Sequence, residues 1–401
     1  MSDIAGNVIA VMLAGGQGSR LHELTADTCK PAVPFAGGRR IVDWTMDNLA
    51  RAQPAQVVVA TQYRPTTLIN HLYAHWRREF EPGTLLICDG RTVTGRAEGY
   101  VGTADAVTQN LGQIALAAPD VVLVVAADHV YRMDYTAMIR AHRAAACPVT
   151  VAVDRVPLEQ AHAFGVIEAD ANGTVTAFLE KPRQLKLIAD DPQHVMASMG
   201  IYVFDWAWLR DTLTQDRDDP ASCHDFGHDI LPGAVRHGDA QVYDVAAHEP
   251  GFYWRDVGTL DALRQTCIDL ESITAPRGRP VYPGKPVTDQ PMQILPQGTV
   301  VLPGAMVSRG ARLRNVVVAP GAIVPGDLVA GYDPQEDARH FRVTPEGTVL
   351  ITPMMLARRS AGSMRALLMP RRAAPAPVPE RATLASLSPR AASAPAKASH
   401  R

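Results

Sequence analysis

The sequence predicts an α/β protein in which a mainly parallel, Rossmann-like sheet is followed by a short C-terminal left-handed parallel β-helix. Three observations carry that reading. Short aliphatic runs alternate with helix-period segments over the first two-thirds of the 401 residues, and strands separated by helices pair in parallel within one sheet. One of those runs empties into a glycine-rich loop, LAGGQGSRL, at the sheet edge where open α/β folds carry their ligand groups. Farther on, Val301, Val307, Leu313, Val318 and Val324 recur about every six residues with small residues between them, the period of a coil whose three faces take one hexad each.

Taken in order, residues 8–13, 56–60, 85–88, 121–126 and 148–153 read as strands, and 43–51, 66–79, 104–117 and 135–146 as helices. FGVIEADANGTVTAFLEKP reads as a hairpin turning at Asn172-Gly173. The organisation expected is a catalytic sheet domain over 1–270, a proline-rich linker over 271–296, a truncated β-helix over 297–357 and a disordered Ala/Pro/Arg tail over 358–401. The hexads amount to about two coils, and the same stretch also reads as an irregular hairpin.

Composition narrows the function classes. A net charge of −2 argues against a general nucleic-acid binder. Five scattered cysteines with no C-x-x-C pair argue against a disulfide framework or zinc site and fit reduced, cytoplasmic thiols. There is no basic n-region at the start and no apolar run near the roughly 20 residues of a membrane span.

Gly15, Gly16 and Gly18 allow a backbone to approach phosphates, and Arg20 and Lys30 supply charge for a polyphosphate. The loop matches neither G-x-x-x-x-G-K-[ST] nor G-x-G-x-x-G, and it also reads as a plain tight turn. Asp128 ends an aliphatic strand and suits Mg²⁺, which needs only one or two protein carboxylates; a loop or N-cap aspartate is the other reading. Asp256 in YWRDVGT would complete a metal pair, or simply pair with Arg255. Glu180 and Lys181 are adjacent, so both serve one site only if the ladder ends there; otherwise they are a surface ion pair. Gly102-Thr103 opens a helix whose N-terminus suits an anion or a base edge, or is an ordinary Thr cap.

In this order the motifs resemble bacterial glucose-1-phosphate adenylyltransferases, within the nucleotide-sugar pyrophosphorylases. LAGGQGSRL, CKPAVPF, GYVGTADAVTQNL, ADHVYRMDY, AFGVIEAD, FLEKP, ASMGIYVFD, HDFGHDILP and YWRDVGTLDA carry the resemblance, which spans roughly residues 7–357. It implies adenylyl transfer from ATP to glucose 1-phosphate, giving ADP-glucose and pyrophosphate, as the first committed step of glycogen synthesis. Gly15, Gly16, Gly18 and Arg20 would cradle the triphosphate, with Lys30 on its β,γ part. Gln62, Gly102 and Thr103 would line the adenine and ribose pocket, and Asp128 and Asp256 would hold Mg²⁺. Lys181 would bind the sugar phosphate, and Tyr100, Gly165, Glu180, Ser198 and Asp225 the sugar. A cytoplasmic homo-oligomer, by resemblance a tetramer, is implied, with no nucleic-acid or membrane partner.

The chain also departs from the family. Gln17 stands where an arginine is usual, Ala26-Asp27-Thr28-Cys29 replace a basic segment that helps bind a phosphorylated-sugar activator, and residues 98–102 lack the Trp and Arg that help relay activation. These losses predict an absent or altered response to fructose 1,6-bisphosphate and AMP. A relative transferring another nucleotide or using another sugar, and a non-catalytic regulatory subunit, are the alternatives.

Overall fold

A computed structural model describes residues 7–182, 193–274 and 292–368. The linker expected over 271–296 is corrected at both ends: residues 271–274 close the helix Leu260–Thr274, and Gln293–Leu295 is a strand antiparallel to Thr299–Val301. Its middle, 275–291, and the tail beyond 368 lie outside the described residues.

The central strand Val8–Ala14 pairs in parallel with Gln56–Thr61 on one side and Val121–Ala126 on the other, and Leu85–Asp89 continues the parallel set beyond Gln56–Thr61. Parallel strands are buried on both faces, which is why their sequences are unbroken aliphatic runs. Side chains of alternate residues go to opposite faces. Val8, Ala10 and Met12 meet Val42, Met46 and Leu49 of the helix Val42–Ala52. Ile9 and Val11 meet Val107 and Ile114 on the other side. Helices therefore cover both faces, as expected.

Two strands of the main sheet were not legible. His194–Asp205 runs antiparallel to Val121–Ala126, to Val149–Pro157 and to Gly165–Ala169, whose hairpin partner is Val175–Glu180. Ala240–Asp244 pairs in parallel with Val149–Pro157. The result is a nine-stranded sheet, parallel in its first half and mixed in its second. His194–Asp205 lacks a clean alternation because its register slips between Ser198 and Tyr202, around Gly200 at φ 66°. Two expected helices also end early: the second stops at His75, and the third breaks into Thr103–Thr108 and Leu111–Leu116, where the Asn110 amide turns back to Ala106 O at 2.8 Å.

The hexads form parallel rungs, which excludes the hairpin reading. Val300, Met306 and Arg312 pair with Val317, Ile323 and Val329, and Val317 pairs in turn with Leu350. The helix Pro334–His340 is inserted before that last rung. Val300, Leu302, Val317 and Leu350 share one apolar core with Leu21, Phe35, Trp44, Leu260 and Leu263. The chain through Arg358 forms one compact unit. The expected disordered tail is corrected at its start: the helix Pro353–Leu368 continues through residues 358–368, where Leu, Met, Ala and Arg favour a helix.

Candidate active site

The carboxyl ends of the parallel strands open on a two-lobed cleft. The register aligns Leu13 with Ala60 and Ala126, so the glycine loop, Gln62 and Asp128 all leave the sheet at one edge. One lobe, about 550 Å³, runs from Gly15, Gly16 and Gln62 past Tyr100, Gly102 and Thr103 to Asp225. The other, about 370 Å³, holds Gly18, Arg20, Lys30, Gly165, Ser198 and Asp256. Asp128, Glu180 and Lys181 line both.

Asp256 arrives by a tertiary pairing. Trp254–Asp256 lies antiparallel to His129–Tyr131, with Asp256 opposite His129. Arg255 does not neutralise it locally: it donates to Trp254 O at 2.9 Å and stacks over Tyr253 at 4.9 Å. Instead Lys30, 4% exposed, places its Nζ 2.5 Å from Asp256 Oδ1 and 3.0 Å from Asp128 Oδ2. Burial opposes the Lys30 charge, but the two carboxylates outweigh it and raise its pKa. Burial likewise opposes the Asp128 charge, yet Lys30 and then His129 hold its carboxyl well below the usual range. Gly18 makes the approach possible: at φ 69°, a Cβ there would stand 2.6 Å from Lys30 Cβ. Arg20 is 59% exposed at its side chain and reaches Asp256 only at 3.9 Å.

At the other end the ladder closes with Glu180 opposite Gly165. Lys181 then leaves it at φ 45°, a conformation costing a non-glycine residue about 1 kcal/mol or more. That turn puts Glu180 and Lys181 on the same cleft while they pair with each other, so the site and ion-pair readings coexist. Asp225 accepts from Gly227 N at 2.8 Å and from the Thr103 hydroxyl at 2.8 Å, and that hydroxyl accepts from Phe226 N at 3.0 Å. The Ser198 hydroxyl lies 3.3 Å from that of Tyr202.

At the start of the helix Thr103–Thr108 two amides are already taken: Ala104 N and Asp105 N donate to His224 O at 2.8 and 3.2 Å. Tyr100 lines the cleft, and its hydroxyl donates to Cys88 O at 3.2 Å and accepts from Asn110 at 3.0 Å. Its backbone exchanges two hydrogen bonds of 2.9 Å with the Gln62 amide, so Tyr100 shapes the Gln62 lobe.

Asp128, His129 and Asp256 bring ligand atoms within 4.8 Å of one another. The two carboxylates are hard oxygen donors that fit a divalent cation such as Mg²⁺; the charged Lys30 ammonium beside them is not a ligand.

Comparison with known proteins decides the family. The nucleotidyl transferase family profile matches residues 9–272, and a GlmU-like C-terminal hexapeptide profile matches residues 293–351. Curated relatives named glucose-1-phosphate adenylyltransferase include one from Jannaschia sp. (strain CCS1), 40% identical over 406 residues, covering 87% of this chain and 96% of the relative. One from Cereibacter sphaeroides is 38% identical over 89% of this chain and 97% of the relative. One from Granulibacter bethesdensis is 38% identical over 89% and 99%. The chain belongs to the nucleotidyl transferases.

As a nucleotidyl transferase it gathers every residue expected at the site into one cleft. The cleft also holds residues that sequence reasoning passed over. His129 contacts Met199 O through Nδ1 at 3.0 Å and turns Nε2 toward Asp128 and Asp256 at 3.8 and 3.9 Å. Its only signal was adjacency to Asp128. A Cβ at Gly258 would stand 2.8 Å from the Arg20 guanidinium, and one at Gly227 2.7 Å from Glu180 Oε2; both glycines lie in the motifs YWRDVGTLDA and HDFGHDILP, where sequence reasoning gave neither a role.

Proposed function

We propose that this nucleotidyl transferase moves the adenylyl group of ATP onto α-D-glucose 1-phosphate, giving ADP-glucose and pyrophosphate, the first committed step of glycogen synthesis. The observation that carries the reading is the buried Lys30 ammonium between Asp128 and Asp256, in a cleft where Asp128, Glu180 and Lys181 line both lobes.

The reaction joins two polyanions. A phosphate oxygen of the sugar phosphate bonds to the α-phosphorus of ATP, and the bond from that phosphorus to the bridging oxygen of pyrophosphate breaks. The nucleophile is already an anion, so positioning and charge neutralisation carry the catalysis rather than a strong base. Gly15, Gly16, Gly18 and Arg20 receive the triphosphate, and Gln62 with Gly102 and Thr103 bounds the nucleoside. Lys181 takes the sugar phosphate, while Glu180, Asp225 and Ser198 accept or donate hydrogen bonds at the sugar, and Gly165, against which Phe178 and Glu180 pack closely, contacts it through its backbone. Asp128 and Asp256 would hold Mg²⁺, which supplies charge neutralisation at the transferring phosphoryl group. Lys30 belongs on the phosphate side of that pair, where its charge is worth most. The Thr103–Asp225 hydrogen bond ties the nucleoside wall to the sugar wall, so the two substrates are held at a fixed separation.

Asp27 and Gln17 remove positive charge from the loop region, so we assign a weak effector response: fructose 1,6-bisphosphate activates less than about threefold at saturating substrate, short of the usual coupling range. A homotetramer in the cytoplasm completes the reading. Among the described residues no helix is long and apolar enough to cross a membrane.

Purified protein with Mg²⁺, glucose 1-phosphate and each nucleoside triphosphate in turn tests the assignment by pyrophosphate release. ATP should be preferred; preference for UTP, dTTP or GTP would reassign the base, and no release with any of them would leave only a binding role.

A further inference from the structure

We infer that Arg342, on the β-helix side, is a positioning residue for Arg20 in the phosphate loop, acting through a bidentate ion pair with Glu23. The inference rests on the reading of Arg20 as a triphosphate ligand.

Arg20 has little to hold its own head, being well exposed and 3.9 Å from Asp256. Its position therefore depends on its backbone, the short 3₁₀ stretch Ser19–Thr25. That stretch is irregular. It starts from Gly18 in the left-handed region and breaks at His22, with φ 53° and ψ −123°. Such dihedrals persist only where neighbours over-determine them.

Three anchors do so. Leu21 is fully buried in the core shared with the β-helix. The Thr25 hydroxyl lies 3.0 Å from Gly18 O and 3.1 Å from His22 O. Glu23 takes both arms of Arg342, Nε to Oε2 at 2.7 Å and a terminal nitrogen to Oε1 at 2.6 Å.

Arg342 is itself fixed. It pairs with Leu350 across the strands Arg342–Val343 and Val349–Ile351, and Leu350 lies in the same core as Leu21. The intervening turn is bolted to the helix Leu260–Thr274: the Thr344 hydroxyl donates to Asp261 at 2.8 Å, and Arg264 donates to Thr348 at 3.1 Å. An ordinary surface ion pair contributes little. This one is a planar fork from a rigid rung to a strained segment three residues from Arg20, and the Arg342 guanidinium lowers the Glu23 pKa.

The test compares the full-length wild type with Arg342→Ala, Arg342→Lys, Glu23→Gln and the exchanged pair Glu23→Arg/Arg342→Glu. It measures KM for ATP and for glucose 1-phosphate, the Kd of a non-hydrolysable ATP analogue, and Tm. Arg342→Ala and Glu23→Gln should raise the ATP KM and the analogue Kd about fivefold, the value of one good exposed pair. The glucose 1-phosphate KM should stay unchanged. Arg342→Lys should recover part of the loss, and the exchanged pair should bind the analogue more tightly than an Arg342→Glu single variant, measured alongside the others. An unchanged ATP KM, equal rises in both KM values in step with a falling Tm, or no recovery in the exchanged pair would overturn the inference. A wild type that prefers another nucleoside triphosphate would refute the adenylyl assignment instead, and the ion pair is then measured with that nucleotide.

Discussion

Lys30 concentrates the electrostatics of the site. Its ammonium is the common partner of Asp128 and Asp256, so removing it leaves two part-buried carboxylates facing each other. Lys30→Ala should lower kcat/KM by about 10³-fold, the scale of losing a charge aimed at a transferring phosphoryl group. The same variant should depend more on Mg²⁺ for its Tm than the wild type does; equal Mg²⁺ dependence would argue against a metal at these acids. The pH dependence follows from the depressed Asp128. A carboxylate with a lowered folded-state pKa stabilises the fold above its ordinary value, and that contribution is lost as pH falls through the folded-state value. Burial opposes the Asp128 charge and Lys30 restores it. The stability gap between wild type and Asp128→Asn should be flat from pH 5 to 9, measured by urea unfolding, and should close below about pH 4. A gap that widens on acidification would contradict the pairing.

At the scale of elements, the Thr103–Thr108 helix and the loop before Phe226 behave as one unit. His224 O caps the helix amides, and a Cβ on Gly102 would stand 2.1 Å from that oxygen. Gly102→Ala should cost about 2 kcal/mol or more, as forced overpacking does, and should raise KM for both substrates because Thr103 and Asp225 move together. A fully stable Gly102→Ala enzyme with both KM values unchanged would remove this coupling. These elements also show where sequence reading stops. The parallel strands were legible because burial on both faces writes them as continuous aliphatic runs. The hexads were legible because each turn of the coil repeats. His194–Asp205 was not, since its register slips at the Gly200 bulge. Asp128 and Asp256 were named individually, but their meeting depends on the pairing of Trp254–Asp256 with His129–Tyr131, and nothing local in either segment encodes that. The capping of Ala104 and Asp105 by a carbonyl some 120 residues away was invisible for the same reason.

For the whole molecule, the β-helix and the sheet domain share buried side chains from Leu21 to Leu350. Leu350→Ala should destabilise by roughly 2–5 kcal/mol, and the sheet domain and β-helix should still melt in a single transition; two resolved transitions would show that the β-helix folds apart from the catalytic sheet. That shared core places the glycine loop, the acids and the C-terminal coils in one mechanical unit, consistent with a fold built around adenylyl transfer. Following the α-phosphorus tests that claim most directly. With Mg²⁺, glucose 1-phosphate and ATP labelled at the α-phosphate, the label should appear in ADP-glucose, and label placed at the γ-phosphate should appear in pyrophosphate. Label remaining in ATP, or a sugar nucleotide formed only when UTP, dTTP or GTP replaces ATP, would contradict it.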